Sequence, residues 1–350
     1  MDLEKILKEI KPVSKDWLNR AQKRLDNLTK PRGSLGLLEE LAARVVAIRE
    51  QERPSLEKKE VIIFAGDHDV VSEGVSAYPQ EVTGLMVRNF LAGGAGINVL
   101  ARSAGAEVSV IDIGMKEDLA DAGELIKKNI RRGAGNIAKG PAMTRKEALD
   151  AVYVGIKAAE KAYNHGTVMI ASGEMGIGNT TPSSALFSVL LPAGVIDVTG
   201  RGTGLDEEGL NRKAAIIEQA LNINRSEMDD PVSALAAVGG FEIAGICGLC
   251  LGGAVHRMVV VTDGFISCAG ALVAMRLNPI IKDYLFFSHR SSEKGHQTFF
   301  EKEGIRPILD LDLRLGEGTG AVLAMQIIEN SIRIYDEMAT FDEAGIKPGA

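Results

Sequence analysis

The segment VIIFAGDH, residues 61–68, shows the pattern from which the fold of this chain is predicted. Its apolar run is rich in β-branched side chains and ends at a glycine, and Asp67 and His68 follow immediately. A short apolar run that is closed by a glycine turn predicts a buried strand with polar side chains at its carboxyl end. The same pattern returns several times along the chain.

Further runs of this kind predict strands, and helical patterns lie between them. The other expected strands are EVSVIDIG (107–114), TVMIASG (167–173), MVVVTDG (258–264), YLFFSH (284–289) and ILDLDLRL (308–315). Residues 145–164 and 207–222 carry apolar side chains at the spacing of a helix. This alternation predicts an α/β fold with a mostly parallel sheet and crossover helices.

Both ends of the chain have the pattern of amphipathic helices. Residues 14–28, 34–52 and 320–338 repeat apolar side chains every three to four positions. We therefore expect a small helical domain built from residues 1–55 and 320–350. It would pack on an α/β core domain of residues 56–319, which carries the functional site.

Composition and charge exclude some classes of partner. The 350 residues are 45% hydrophobic, and 40 basic against 47 acidic residues give a net charge of -7 without any basic block. This argues against a nucleic-acid partner. No uncharged apolar run of about 18 residues occurs, so no membrane span is predicted. The charged N-terminus argues against a secretion signal, and an odd number of cysteines suits a reducing cytosol. A cytoplasmic protein is expected.

Metal ligation is disfavoured. Cys247 and Cys250 form a C-x-x-C motif, but neither a second pair nor a histidine cluster accompanies it. Together with Cys268 they are interpreted as cysteines buried in helices. The five histidines are scattered without the spacing of metal ligands. Neither a metal nor a cofactor is predicted.

Acidic side chains follow several of the expected strands. Asp67, Glu174, Asp263 and Glu317 all stand at such positions. The carboxyl ends of parallel strands meet at one edge of a sheet, where ligands bind, so a shared pocket is predicted. The alternative is that each acid caps the helix that follows it. This alternative is weakest for Glu317, because the glycines on both sides permit a ligand to approach the backbone closely.

The loop GEMGIGNTTPSSA, residues 173–185, is the most informative segment. Its glycines free backbone amides, its hydroxyl and amide side chains add donors, and Pro182 is expected as the first residue of a helix. Such a loop makes an anion site suited to phosphate. It lacks the G-x-x-x-x-G-K-[ST] pattern of a P-loop.

Two other turns offer basic or hydroxyl side chains. TGRGTGLDEEGLNRK (199–213) contains Lys213, which either contacts the ligand or is a solvated helix lysine. SHRSSEKGH (288–296) supplies serines and cations. His289 and His296 of this second turn are interpreted as structural or surface histidines.

Taken together, these motifs resemble the nicotinate-nucleotide–dimethylbenzimidazole phosphoribosyltransferase family. The resemblance is carried in order by KPRGSLG (30–36), AGDHDVVSEGVSAYPQEVT (65–83), GGAGINVLAR (93–102), GEMGIGNTT (173–181), GRGTGLD (200–206), DGFI (263–266), HRSSEKGH (289–296) and LRLGEGTGA (313–321). Two departures are Asp69, where glycine is usual, and Ser292, where alanine is common. Neither touches the residue that would act as base.

The resemblance implies a Rossmann-like core, a small helical domain and a homodimer. It also implies transfer of the 5-phosphoribosyl group from nicotinate mononucleotide to 5,6-dimethylbenzimidazole, giving α-ribazole 5′-phosphate and nicotinate. The family's catalytic glutamate falls on Glu317 and its second active-site acid on Glu174. The implied mononucleotide contacts are Gly176, Ile177, Gly178, Asn179, Thr180, Thr181, Gly202, Lys213, Asp263, Ser291 and Ser292. The implied contacts of the acceptor base are Ser76, Tyr78, Gln80, Met86, Met175 and Leu315.

The chemistry of this reaction suits one carboxylate. Nicotinate leaves from a pyridinium and needs no proton, whereas the attacking azole becomes cationic and must lose its N–H proton. Glu317 is expected to take that proton, and Glu174 to orient Glu317 or hold the ribose. Two alternatives remain: a nucleosidase-type hydrolase that uses both glutamates, and a non-catalytic nucleotide sensor. Adenine, other benzimidazoles or phenols are alternative acceptors.

Overall fold

The structure is a computed structural model that describes residues 2–346. Its strands are β1 (Lys59–Gly66), β2 (Ala106–Gly114), β3 (Ile126–Lys127), β4 (Met169–Met175), β5 (Val259–Thr262) and β6 (Leu285–Phe287). Its helices are α1 (Leu3–Glu9), α2 (Lys15–Asn27), α3 (Leu37–Arg49), α4 (Val82–Leu91), α5 (Gly96–Ala104), α6 (Arg145–Asn164), α7 (Thr180–Leu190), α8 (Val195–Val198), α9 (Glu207–Ile223), α10 (Pro231–Val238), α11 (Phe241–Val255), α12 (Phe265–Leu277), α13 (Lys294–Glu303) and α14 (Thr319–Glu337). Short 3-10 helices occupy Asp69–Glu73, Arg225–Glu227 and Pro279–Tyr284.

The strands form one parallel sheet in the order β3-β2-β1-β4-β5-β6. In the centre, Lys59 of β1 lies opposite Ala106 of β2 and Met169 of β4. β2 and β3 follow β1 toward one edge of the sheet, and β5 and β6 follow β4 toward the other edge. The α/β fold with a mostly parallel sheet is therefore confirmed, and the order reverses between β1 and β4, where such sheets bind ligands.

Alternate side chains of a strand point to opposite faces of the sheet. Helices cover both of these faces. On one face, Phe64 of β1 packs so closely on α11 that a Cβ at Gly245 would lie 2.7 Å from its ring. On the other face, Val61 meets Gly318 just before α14, where an added Cβ would lie 2.8 Å away. The central strands are consequently buried on both sides.

The terminal helices pack together, and one continuous hydrophobic core joins them to the sheet. The Arg24 guanidinium of α2 donates to the carbonyl oxygens of Tyr335 (2.8 Å) and Asp336 (3.1 Å) near the end of α14. A cation is favoured there by the exposed carbonyls of a helix C-terminus. We keep the division into domains 1–55 with 320–350 and 56–319 as a proposal. Residues 1 and 347–350 of that division lie outside the described residues.

The expected strand at residues 308–315 is wrong. The segment runs beside residues 287–292 and forms only an isolated parallel bridge, between Leu309 and His289. Asp312 has a left-handed backbone (φ 54°), which interrupts the extended conformation. The alternating pattern reflects a half-exposed edge rather than a paired strand.

Two smaller expectations also differ from the structure. Pro182 is the third residue of α7, not the first, because the helix begins at Thr180. Proline is tolerated throughout the first turn of a helix. The two-residue strand β3 was not expected, since so short an edge strand carries no detectable pattern.

The cysteines are free and buried, Cys247 and Cys250 in α11 and Cys268 in α12, which confirms their interpretation. None of the helices described for residues 2–346 combines the length and apolarity needed to cross a bilayer.

Candidate active site

A cavity of about 540 Å³ opens at the carboxyl ends of β4, β5 and β6. Most of the side chains and turns singled out in the sequence meet there. The predicted residues that line it are Tyr78, Met86, Glu174, Met175, Gly176, Ile177, Asn179, Thr180, Gly202, Ser291, Leu315 and Glu317. The convergence of separate glycine turns on one pocket follows from the parallel sheet, whose loops share one edge.

Glu317 is held by its backbone. Gly316 (φ 80°), Glu317 (φ 64°) and Gly318 (φ 98°) are three successive left-handed residues that lead into α14. The Glu317 side chain is only 5% exposed, and its Oε2 accepts a hydrogen bond from the Ile97 N–H at 3.2 Å. Glu317 thus caps α5 rather than the helix that follows it. Burial raises the pKa of Glu317, the Ile97 N–H opposes this effect, and the charge of Asp263 adds to it.

Glu174 is the penultimate residue of β4 and lies directly beneath this turn. Its carboxyl accepts hydrogen bonds from the Asn179 side-chain amide and from the backbone of Glu317. An added Cβ at Gly316 would lie 2.3 Å from Glu174 Oε1, so only glycine fits there. Burial raises the pKa of Glu174 to about 8, although the bond from Asn179 opposes the shift and nearby acids reinforce it. Burial therefore favours the protonated form of Glu174.

The loop after Glu174 is held by residues that do not line the cavity. The Ile177 N–H donates to Thr83 Oγ1 at 3.1 Å, and Gly178 adopts a left-handed backbone (φ 89°). His68 and Glu242 form a buried pair at 2.8 Å, and an added Cβ at Gly176 would lie 3.4 Å from His68 Nε2. His68 therefore packs beneath the loop and does not line the cavity.

Lys213 is fully buried, so the alternative of a solvated lysine is wrong. Its ammonium donates to Thr180 Oγ1 at 2.7 Å and to the Gly200 carbonyl oxygen at 3.3 Å. It lies just behind the wall that Thr180 and Gly202 give to the cavity. Burial lowers the pKa of Lys213 to about 8, and the charge of Glu293 partly opposes this.

Two of the four acids support the site from outside the cavity. Asp263 accepts from the N–H groups of Gly318 (3.1 Å) and Ala321 (3.0 Å), so it caps α14. Asp67 accepts from the Lys116 N–H at 2.8 Å. Burial raises the pKa of both carboxyls. The capping alternative thus applies to Asp263, but to a different helix from the one that follows it.

Other predicted contacts lie beside or behind the lining. They are Ser76, Gln80, Gly178, Thr181, Lys213, Asp263 and Ser292. Ser76 Oγ is 3.3 Å from Thr203 Oγ1, and Ser292 Oγ donates to the Asp312 carbonyl oxygen at 3.0 Å. Their assignment as substrate contacts stays a prediction. Of the two departures from the family pattern, Asp69 pairs with Lys116 at 2.5 Å on the surface.

Sequence reasoning missed several lining residues. They are Val82, Thr203, Gly204, Gly264, Phe265, Ile266, His289, Glu293, Arg314 and Gly316. Most of them lie within or next to the quoted motifs. The motif DGFI and the turn at 288–296 could therefore have revealed several of these lining residues. His296 is structural, as expected: its Nδ1 accepts from the Ser291 N–H at 3.0 Å, and it is fully buried.

A second cavity, of about 560 Å³, lies between α6 and the β1–β2–β3 side of the sheet, and its lining does not include Asp67, Glu174, Asp263 or Glu317. Among residues 2–346, no group of three or more His, Cys, Asp or Glu side chains is placed to hold a metal ion.

The chain is similar to known proteins over nearly its whole length. A family model described as "Phosphoribosyltransferase" matches residues 10–346. The nicotinate-nucleotide–dimethylbenzimidazole phosphoribosyltransferase of Chlorobaculum parvum is 53% identical over 98% of this chain and 97% of its own. The enzyme of that name from Geobacter sulfurreducens is 54% identical over 99% of both chains. The crystal structure of CobT from Thermus thermophilus superposes with a TM-score of 0.92 at 47% identity, over 95% of this chain and 100% of its own.

Proposed function

The chain belongs to the nicotinate-nucleotide–dimethylbenzimidazole phosphoribosyltransferase family, and on that basis we propose how its cavity performs the transfer. The enzyme moves the 5-phosphoribosyl group of nicotinate mononucleotide to 5,6-dimethylbenzimidazole, in assembly of the cobalamin nucleotide loop. The resemblance seen in the sequence motifs is thereby confirmed. The assignment of roles to individual residues goes further and is our own.

Glu317 is the general base of this proposal. The bond from C1′ to the pyridinium nitrogen breaks, and its electron pair leaves with nicotinate. The azole lone pair forms the new bond to C1′, and the azole N–H proton passes to the Glu317 carboxylate. The observation that supports this best is the buried carboxylate at the cavity wall, fixed by the Ile97 N–H and by its own left-handed turn. A base so held needs little reorganisation during the reaction.

Glu174 is proposed as the positioning residue beneath Glu317. It bonds the Glu317 backbone, and burial raises its pKa to about 8, which favours its neutral form. A neutral Glu174 leaves the negative charge of the pair on Glu317.

The phosphate of the mononucleotide is proposed to bind where Thr180 and Gly202 line the cavity in front of Lys213. The N-terminus of α7 and the glycine turns supply backbone N–H groups on the same side. Binding of a dianion there would favour the charged form of Lys213. The acceptor base is proposed to lie against Tyr78, Met86, Met175 and Leu315, which are apolar surfaces of the same cavity.

Incubation of the protein with nicotinate mononucleotide and a panel of bases, followed by mass analysis, tests the reaction. We expect an azole-dependent nucleotide product and release of nicotinate. Formation of ribose 5-phosphate without any azole would indicate the hydrolase, and absence of turnover would indicate the sensor. The panel also ranks dimethylbenzimidazole against adenine, other benzimidazoles and phenols.

We further infer a cytoplasmic homodimer. A homodimer is supported by the large apolar side chains that stay exposed near the cavity, Tyr78 (55%), Leu85 (63%) and Leu315 (59%). Exposed apolar groups of this size are typical of contact surfaces. The odd number of cysteines, all free and buried, supports a reducing compartment.

A further inference from the structure

His289 follows β6 and occupies a wall of the cavity that the mechanism above does not use. Its side chain is only 3% exposed, yet it lines the cavity together with Gly264 and Ser291. An added Cβ at Gly264 would lie 3.5 Å from His289 Nε2. The Nε2 edge of the ring therefore lies next to the open side of Gly264, at the cavity.

The hydrogen bonds around His289 fix which nitrogen carries the proton. Ser288 Oγ donates its hydrogen to the Asp263 carbonyl oxygen at 3.0 Å. The same Oγ lies 3.0 Å from His289 Nδ1, and it has no second hydrogen to give. Both contacts are hydrogen bonds only when Nδ1–H donates to Ser288 Oγ, and the neutral imidazole then presents a lone pair at Nε2. Asp263 Oδ1 is 3.9 Å from Nδ1, beyond hydrogen-bond distance.

The ring is also held in place by packing. An added Cβ at Gly320, in the first turn of α14, would lie 1.9 Å from His289 Nδ1. His296 packs edge-on to it, with the ring centroids 6.2 Å apart. Within the part of the chain that the structure describes, His289 Nε2 has no hydrogen-bond partner, whereas Nδ1 is anchored. The free lone pair is thus preorganised toward the cavity.

A lone pair selects a hydrogen-bond donor. In nicotinate mononucleotide the nicotinate carboxylate offers only acceptors, the ionised phosphate chiefly acceptors, and the pyridinium nitrogen has no hydrogen. The ribose hydroxyls are the remaining donors, because the azole N–H is assigned to Glu317. We propose that His289 Nε2 accepts a hydrogen bond from a ribose hydroxyl of nicotinate mononucleotide and so makes the enzyme select ribonucleotides over deoxyribonucleotides. This rests on the proposed function.

Two substitutions separate the acceptor from its anchor. His289→Asn places an amide N–H near the position of Nδ1, which keeps the bond to Ser288 and removes the acceptor. His289→Gln places its carbonyl oxygen near the position of Nε2, which keeps the acceptor and loses the anchor. His165→Asn, at an exposed histidine after α6, is the matched control. Each variant is assayed with nicotinate mononucleotide and with its 2′-deoxy and 3′-deoxy analogues.

A hydrogen bond between uncharged groups corresponds to about a 2- to 12-fold change in kcat/KM. We expect the wild type and His289→Gln to lose this factor with one of the two deoxy analogues. His289→Asn should lose it with nicotinate mononucleotide but show no further loss with that same analogue. His165→Asn should behave as the wild type.

Equal losses for His289→Asn with all three nucleotides would overturn the assignment of His289. So would a His289→Gln variant that no longer discriminates while His289→Asn still does. Absence of transfer by the wild type would instead contradict the proposed function itself. Melting temperatures of the variants show whether a loss comes from misfolding.

Discussion

At Glu317 the chain keeps a non-glycine residue in a left-handed backbone conformation, with φ 64°. Such a conformation costs on the order of 1–3 kcal/mol and persists only where the surroundings impose it. Here the flanking glycines, the bond from Ile97 to the carboxylate and the bond from the Glu317 backbone to Glu174 impose it. In this conformation Glu317 lines the cavity.

Loss of the Glu317 carboxylate should slow removal of the azole proton. Glu317→Gln keeps the acceptor for the Ile97 N–H but cannot take a proton. The turnover number should fall by about 10²- to 10⁴-fold while substrate affinities change little. Acceptors of lower pKa, already partly ionised, should lose less than dimethylbenzimidazole does. Steady-state kinetics of Glu317→Gln and Glu174→Gln over bases of graded pKa measure this, and a flat response for Glu317→Gln with a steep one for Glu174→Gln would reverse the two roles.

Lys213 should control binding of the phosphate. Lys213→Ala removes a charged hydrogen bond, worth about 1.5–3 kcal/mol or roughly 10- to 150-fold. The Michaelis constant for nicotinate mononucleotide should rise by about that factor and the constant for the base far less. The exposed neighbour Arg212→Ala is the matched control.

The pKa of Lys213, about 8, adds a pH dependence to this prediction. The ammonium is charged below that pH and neutral above it. Accordingly, kcat/KM for nicotinate mononucleotide should decline as the pH rises above about 8, and Lys213→Ala should lose this decline. Equal effects of Lys213→Ala on both Michaelis constants would contradict the phosphate assignment.

Glu174 should make folding stability depend on pH. Its pKa is raised in the folded state to about 8, so the folded protein holds a proton that the unfolded chain has lost. Its contribution is present below the ordinary pKa of a glutamate and is lost as the pH rises through about 8. The size is on the order of 4 kcal/mol. Urea unfolding of the wild type and of Glu174→Gln between pH 4.5 and 8 measures the difference, and parallel curves would argue against a raised pKa.

At the scale of elements, the contact between α6 and α11 depends on glycine. An added Cβ at Gly155 would lie 1.9 Å from the Gly245 carbonyl oxygen, and one at Gly248 would lie 1.9 Å from the Val152 carbonyl oxygen. The two backbones therefore touch. This close approach lets α11, whose N-terminal part packs on β1, occupy the space behind the sheet without displacing it.

Gly155→Ala should consequently destabilise the protein. Overpacking of a close contact costs about 1–3 kcal/mol, and here the neighbour is backbone, which cannot move aside easily. Gly140→Ala, where an added Cβ meets nothing within 4 Å, is the matched control and should change stability by less than about 0.5 kcal/mol. Denaturant unfolding compares the two, and equal stabilities would mean that α6 shifts freely on α11.

At the scale of the whole molecule, we expect an isologous homodimer, the commonest soluble oligomer. Leu85→Glu, which puts a charge on an exposed apolar position of α4, should weaken it if that surface is buried in the dimer. Sedimentation of the wild type at micromolar concentration should show a dimer. A wild type that is only monomeric under those conditions would contradict the inference.

The fold class, the carboxyl ends of β1 and β2 and the identity of the acids could be predicted from the sequence alone. These features are local: buried parallel strands give continuous apolar runs, and glycine turns mark where each run ends. The helix at 145–164 was predicted with its observed ends, because a capping threonine and a strong three-to-four pattern define it. The motifs at 173–181 and 313–321 are also local features, and they pointed to Glu174 and Glu317.

The position of each acid relative to the cavity depends on the tertiary structure. Asp67, Glu174, Asp263 and Glu317 look alike in the sequence, yet Glu174 and Glu317 line the cavity, whereas Asp263 caps α14 and Asp67 bonds a neighbouring loop. The burial of Lys213 and the free nitrogen of His289 likewise depend on residues far away along the chain. Burial and hydrogen-bond partners are set by contacts between distant segments, and a pattern that reports only local spacing carries no information about them.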